Sequence, residues 1–121
     1  MTKRILVIED TEDNRQIVGD LLASAGYELI EAVDGLEGVA TAEREQPDLI
    51  LMDIQLPGID GYEATRRIRA IPALAKVPII AVTSYALSGD EAKTREAGCD
   101  GYVAKPFSPR QLLAKIREFL P

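Results

Sequence analysis

Leu49-Ile50-Leu51-Met52-Asp53 sets four apolar residues in a row and ends them on a carboxylate. A strand with one face in water alternates apolar and polar residues, whereas a run without alternation suits a strand covered on both faces, as in a parallel sheet. Ile5-Leu6-Val7-Ile8 and Pro78-Ile79-Ile80-Ala81-Val82 have the same character. Glu28-Leu29-Ile30 and Gly101-Tyr102-Val103-Ala104 are shorter or more mixed, which suits edge strands.

Between these runs the apolar spacing becomes helical. Ile17, Val18, Leu21, Leu22 and Ala25 share one face of a helix, and Gly26 supplies a stop. Leu36, Val39 and Ala40 begin a second stripe that ends before Pro47; Ala64, Ile68 and Ile71 form a third, closed by Pro72. Ser88 with Glu91 reads as a capping box opening a fourth helix, which Gly98 ends. Ser108, Pro109 and Gln111 open a fifth, with the stripe Leu112, Leu113, Ile116, Phe119 and Leu120. Five strand–helix pairs in strict alternation predict an α/β sandwich around a parallel sheet with right-handed crossovers. The fourth helix carries only alanines as apolar residues, which predicts the most mobile or partner-facing helix.

With 121 residues, 46% of them hydrophobic and 28% charged, the chain reads as one domain over residues 1–121 with no output domain. A chain of this size buries roughly two-thirds of its unfolded surface. Acids outnumber bases by 20 to 14, and aromatic residues are 5%, which argues against direct nucleic-acid binding. Histidine is absent, which removes the commonest general base and the commonest transition-metal ligand together. Cys99 is the one cysteine, so an internal disulfide, a CxxC motif and a Cys/His zinc site are excluded, as are Ser-His-Asp and Cys-His nucleophile systems. The apolar runs fall far short of the roughly 20 residues of a membrane span. Met1-Thr2-Lys3-Arg4 leads into too few apolar residues for a signal-peptide core, so the expected location is the cytoplasm.

In open sheets of this kind, ligands bind outside the carboxyl ends of the strands. The first strand ends in Glu9-Asp10, the third in Asp53, the fourth in Thr83-Ser84 and the fifth in Lys105-Pro106. Three carboxylates, a hydroxyl and an ammonium are thereby predicted to converge. Carboxylates crowded together hold raised pKa values unless a cation neutralises them. An all-oxygen ligand set points to a hard ion, Mg²⁺ or Mn²⁺. A metal, a lysine and a hydroxyl around one Asp make an electrostatic cradle for a phosphoryl group, and Asp is a competent nucleophile for forming an aspartyl phosphate.

Blander readings exist for each residue alone. Glu9-Asp10 could approach a helix whose first turn holds Glu12 and Asp13, Thr83 could be an ordinary strand residue, and Lys105 a surface charge. Asp53 resists such a reading, because a carboxylate closing an apolar run is partly buried and needs a partner. A GxGxxG after the first strand and a Walker A loop are both missing, and Asp60-Gly61-Tyr62 lacks the spaced acids of an EF-hand. Cys99 reads as a small buried thiol, Arg66, Arg67 and Arg69 as the solvated face of the third helix, and Tyr62 as packing at its start.

Taken together, these residues resemble the response-regulator receiver domains of bacterial two-component signalling, the CheY-like family. The resemblance runs from Ile5-Leu6-Val7-Ile8-Glu9-Asp10 through Asp48-Leu49-Ile50-Leu51-Met52-Asp53 and Pro57-Gly58-Ile59-Asp60-Gly61 to Lys105-Pro106. It implies a flavodoxin-like (βα)5 three-layer sandwich with strand order 2-1-3-4-5. It further implies that Asp53 is phosphorylated and that Glu9, Asp10, Asp53 and the main-chain carbonyl of Gln55 hold Mg²⁺, with Mn²⁺ as the alternative. Thr83 would be the switch hydroxyl, Lys105 the ion-pair partner of the phosphoryl group, and Tyr102 the aromatic switch. The Lys105–Pro106 bond is expected to be cis.

The function so implied is that of a phosphorelay response regulator. A histidine kinase or histidine phosphotransferase donates the phosphoryl group, and the surface of the fourth helix, fifth strand and fifth helix changes to control a downstream protein target. A phosphorylation-dependent dimer is compatible with this, and membrane binding is not expected. Such a domain is not an enzyme beyond assisting its own phosphorylation and slow autodephosphorylation. Gln55 and Tyr85 should flank the path of an attacking water, and Gln55 cannot be the acid/base that a haloacid-dehalogenase-type phosphatase needs there. A persistent phosphoaspartate shielded by Tyr85 is therefore expected. Asp53-Ile54-Gln55-Leu56-Pro57 and Gly98-Cys99 resemble, in style, single-domain cell-division receivers and the receivers of hybrid kinases. The rival readings are an Asp-nucleophile phosphatase and a receiver excised from a hybrid kinase or transcription factor. With no histidine of its own, the chain requires a donor on another protein.

Overall fold

The structure, a computed structural model, describes residues 2–84 and 90–121. Five parallel strands, β1 (Arg4–Ile8), β2 (Glu28–Ala32), β3 (Leu49–Asp53), β4 (Ile79–Thr83) and β5 (Gly101–Ala104), form one sheet in the order β2-β1-β3-β4-β5. The helices are α1 (Glu12–Ser24), α2 (Gly35–Glu45), α3 (Gly61–Arg69), α4 (Asp90–Ala97) and α5 (Pro109–Phe119), with a 3-10 turn over Pro72–Leu74. Order and strand direction agree with the sequence expectation, and the mixed runs are indeed the two edges.

Alternate strand residues point to opposite faces, and the apolar runs fill both. Leu6, Ile8, Ile50, Met52 and Ile79 pack with Ala42 of α2 and with Ala64 and Ile68 of α3. Ile5, Val7, Leu49, Leu51 and Ile80 pack with Leu22 of α1 and with Leu112 and Ile116 of α5. Fully burying one such Leu or Ile side chain contributes about 1.5–3 kcal/mol, so the central strands carry much of the stability. The register sets Ile8 beside Met52, Asp53 beside Val82 and Thr83 beside Ala104. The carboxyl ends of β1, β3, β4 and β5 therefore open at one edge.

Two helix faces differ from the sequence reading. Ile17 is 64% exposed, so it lies off the core stripe of α1. In its place Gly19 is buried, with Leu29 where a side chain would stand. On α2, Leu36 is 59% exposed and Ala40 is exposed, while Gly35, Gly38, Thr41 and Ala42 face inward. A Cβ on Gly38 would lie 2.6 Å from Ile8 Cδ1, so α2 rests on the sheet through its smallest residues. A pattern of large apolar residues cannot reveal such a face.

The third helix stops at Arg69, and Ile71 lies past its cap. Arg66 and Arg67 are solvated and pair with Glu63, as expected. Arg69 is not solvated in the same way. Its guanidinium donates to the carbonyls of Gly98 (2.9 Å), Leu74 (3.0 Å) and Val77 (2.6 Å) and to Asp100 Oδ2 (2.7 Å). The fifth helix has the full capping box, Gln111 N–H to Ser108 Oγ at 3.1 Å and Ser108 N–H to Gln111 Oε1 at 2.7 Å. Gly98 follows α4 with φ +114°, a conformation that favours glycine. Ser88 lies outside the described residues, as does Tyr85. Cys99 is buried, and burial pushes its thiol pKa up, away from the reactive thiolate. Tyr62 packs against the core at the start of α3. Among the described residues no helix is long and apolar enough to cross a membrane.

Candidate functional site

Glu9 leaves the end of β1 as a buried acid, 6% exposed, with its backbone N–H still bonded to Ala32 (3.1 Å). Its carboxylate is held on three sides. Oε2 accepts from the Thr11 N–H at 3.1 Å, and Oε1 accepts from Asn14 Nδ2 and from Lys105 Nζ, each at 3.3 Å. Arg15 Nη1 donates to the Glu9 carbonyl at 2.8 Å, fixing the main chain from the next turn. Neither Asn14 nor Arg15 stands out in the sequence, because both sit in a polar helix start. Only the tight turn between β1 and α1 brings them back onto Glu9.

Asp53 closes β3 and is 4% exposed. Oδ1 accepts from the Gln55 N–H at 3.0 Å, and Oδ2 lies 3.3 Å from Lys105 Nζ. The burial and the partner anticipated for it are both present. Gly61 is needed directly behind: a Cβ there would meet the Asp53 carbonyl oxygen and would lie 2.6 Å from Ile54 Cα. The Gly61 N–H donates to the Ile54 carbonyl at 3.0 Å, which draws the β3–α3 loop tight against the strand end.

Lys105 arrives from the far edge of the site. Its backbone N–H donates to the Thr83 carbonyl at 2.8 Å, so β5 stays bound to β4 one residue past the strand. The ammonium then bridges Glu9 and Asp53. The Lys105–Pro106 peptide bond is cis. Thr83 is buried at the end of β4, and Tyr102 is half-buried beside Ala81 in the register.

Asp10 is exposed, and its carboxyl pKa is pushed up, first by desolvation and then by hydrogen bonding to Glu9. One ligand oxygen from each of Glu9, Asp10 and Asp53 lies within 4.8 Å of the others. Three carboxylates against one ammonium leave an excess of negative charge, and the donors are all oxygens. That set fits a hard divalent cation. A cavity of about 660 Å³ opens beside Asp53 and Lys105, and Ile17, Val18 and Phe107 form its apolar wall.

The sequence matches the response regulator receiver domain family over residues 5–117. The chain belongs to that family. This receiver domain is 42% identical to the polar-differentiation response regulator DivK of Brucella ovis, over 99% of this chain and 98% of the relative. The receiver domain of a sensor histidine kinase from Pseudomonas aeruginosa superposes with a TM-score of 0.93 at 41% identity, covering 99% of this chain and 98% of that one; its structure has a magnesium ion coordinated in the active-site cleft. Chemotaxis protein CheY4 of Vibrio cholerae gives the same TM-score at 28% identity, over 98% and 99% of the two chains. The receiver is thus a phosphorelay signalling domain of the DivK and CheY type.

Proposed function

We propose that this receiver accepts a phosphoryl group on Asp53 from a phosphohistidine of a histidine kinase or histidine phosphotransferase in the cytoplasm. The observation that carries the assignment is Lys105 Nζ standing 3.3 Å from both Glu9 Oε1 and Asp53 Oδ2, which leaves a buried carboxylate oriented and partly neutralised at the mouth of a cavity. Glu9, Asp10 and Asp53, with the main-chain carbonyl of Gln55, would hold Mg²⁺, whose charge offsets that of the phosphoryl oxygens.

The chain's own part is positioning and charge. An Asp53 oxygen attacks phosphorus as the phosphorus–nitrogen bond of the donor breaks, and the departing imidazole keeps the electron pair. Lys105 faces the charge that gathers on the transferred group. The donor covers the apolar wall at Ile17 and Phe107, which lies beside Asp53. The phosphate then draws in the Thr83 hydroxyl, Tyr102 turns inward, and the surface of α4, β5 and α5 shifts toward the form that a downstream protein binds. Gln55 supplies no acid or base for hydrolysis, so the product persists.

Incubation with Mg²⁺ and acetyl phosphate tests the assignment by intact mass. A gain of about 80 Da is expected for one phosphoryl group, lost on removal of Mg²⁺ and in Asp53→Asn. Equal labelling of Asp53→Asn would overturn it.

A further inference from the structure

Gln55 makes two bonds that tie the acceptor to the neighbouring strand. Its backbone N–H donates to Asp53 Oδ1 at 3.0 Å, and its side-chain Oε1 accepts from the Ser84 N–H at 3.3 Å. The ladder geometry explains why that donor is there. The Val82 carbonyl accepts from Ile54 on the β3 side, and the Thr83 carbonyl accepts from Lys105 on the β5 side. Backbone groups of successive strand residues face opposite neighbours, so the Ser84 N–H points back toward β3. The β3 backbone has already turned away there, because the Ile54 carbonyl is taken by Gly61. The Gln55 carboxamide fills the gap as a rung made by a side chain. Ser84 lines the same cavity as Asp53 and Lys105.

We propose that Gln55 is a positioning residue whose carboxamide straps the end of β4 to the β3–α3 loop in the resting protein and competes there with an anionic oxygen carried by Asp53. The competition rests on the acceptor role of Asp53; the strap does not. A carboxamide oxygen is a neutral acceptor, and an ionised acceptor makes a hydrogen bond roughly twice as strong. A phosphoryl oxygen reaching the Ser84 N–H therefore displaces Gln55 and opens the strap. The residue sets how readily the resting site gives way.

Amide hydrogen exchange at Ser84 in the unphosphorylated protein reads the strap directly. Gln55 is exposed, so Gln55→Met (similar length, no oxygen) and Gln55→Glu (acceptor restored) leave the core intact. Exchange at Ser84 is expected to quicken about five-fold in Gln55→Met, the usual worth of one net hydrogen bond, and to stay near the wild-type rate in Gln55→Glu. An unchanged rate in Gln55→Met would overturn the strap. Titration with beryllofluoride and Mg²⁺, a phosphoryl mimic, reads the competition: Gln55→Met should bind about five-fold more tightly, and equal affinity would overturn that half. Failure of the wild type to bind the mimic would instead overturn the acceptor role of Asp53, with the strap still decided by exchange.

Discussion

Lys105 concentrates the electrostatics of the site in one side chain, since its ammonium serves a buried Glu9 and a buried Asp53 together. Removing it should move two properties in opposite directions. In Lys105→Met the acidic cluster loses its nearby positive charge, so Mg²⁺ measured by calorimetry should bind about ten-fold more tightly. Phosphoryl transfer loses a preorganised cation, and labelling by acetyl phosphate should slow by about a hundred-fold. A parallel change in both would contradict this division of labour. The convergence of Lys105, Asp53, Glu9 and Asp10 was legible in the sequence because each ends an apolar run. Singly, all but Asp53 have a bland reading, and their shared placement at strand ends is what points to a site. Asn14, Arg15 and the Gln55–Ser84 bond were not legible. Their partners are main-chain groups or side chains brought near only by the turns, and a polar residue in a polar segment gives no sign of what it reaches. Arg69 is hidden for the same reason: helical spacing sets it with Arg66 and Arg67, yet its partners are carbonyls from three other segments and the Asp100 carboxylate.

At the scale of elements, the loops and helix starts decide how well the site is held. Gly61 lets the first turn of α3 lie against the backbone of Asp53 and Ile54, which cannot move aside as a flexible side chain could. Gly61→Ala should cost about 1–3 kcal/mol in urea unfolding and should also slow labelling of Asp53; an unchanged midpoint would contradict the packing described. Further along α3, Arg67 and then Arg66 hold the Glu63 carboxyl below its ordinary value of 4.5. A lowered folded pKa gives stability that is present above that ordinary value and is lost as the pH falls through the folded one. Glu63→Gln should therefore reduce stability near neutral pH and flatten the acid side of the stability profile, and urea melts from pH 3 to 6, roughly the span of carboxylate titration, would show it. On α1, the apolar stripe located the helix but not Ile17, whose exposure only the fold reveals. Ile17→Glu should slow transfer from a phosphohistidine donor about ten-fold, the cost of a modest loss in docking, with acetyl phosphate labelling nearly unchanged. Equal slowing with both donors would remove the docking role.

Across the whole molecule, the sheet register does the assembling. Setting Ile8 beside Met52, Asp53 beside Val82 and Thr83 beside Ala104 brings residues far apart in the chain to one edge. The alternation of strands and helices was legible because buried parallel strands lack polar residues. That pattern marked β2 and β5 as edges, but the order of the three central strands came with the resemblance to receivers, since any order of three similar apolar strands would bury the same runs. These 121 residues contain no histidine, so on the proposed reading the phosphohistidine that supplies the group lies outside them. The most direct test of the central claim is to phosphorylate the receiver, reduce it with borohydride and sequence the peptides by mass spectrometry. An aspartyl phosphate is reduced to homoserine with a loss of about 14 Da at that residue, because its acyl phosphate is the reactive carboxyl derivative. The expected result is that loss at Asp53 alone, absent without Mg²⁺. The same loss at Asp10 or another carboxylate, with Asp53 intact, would contradict the account.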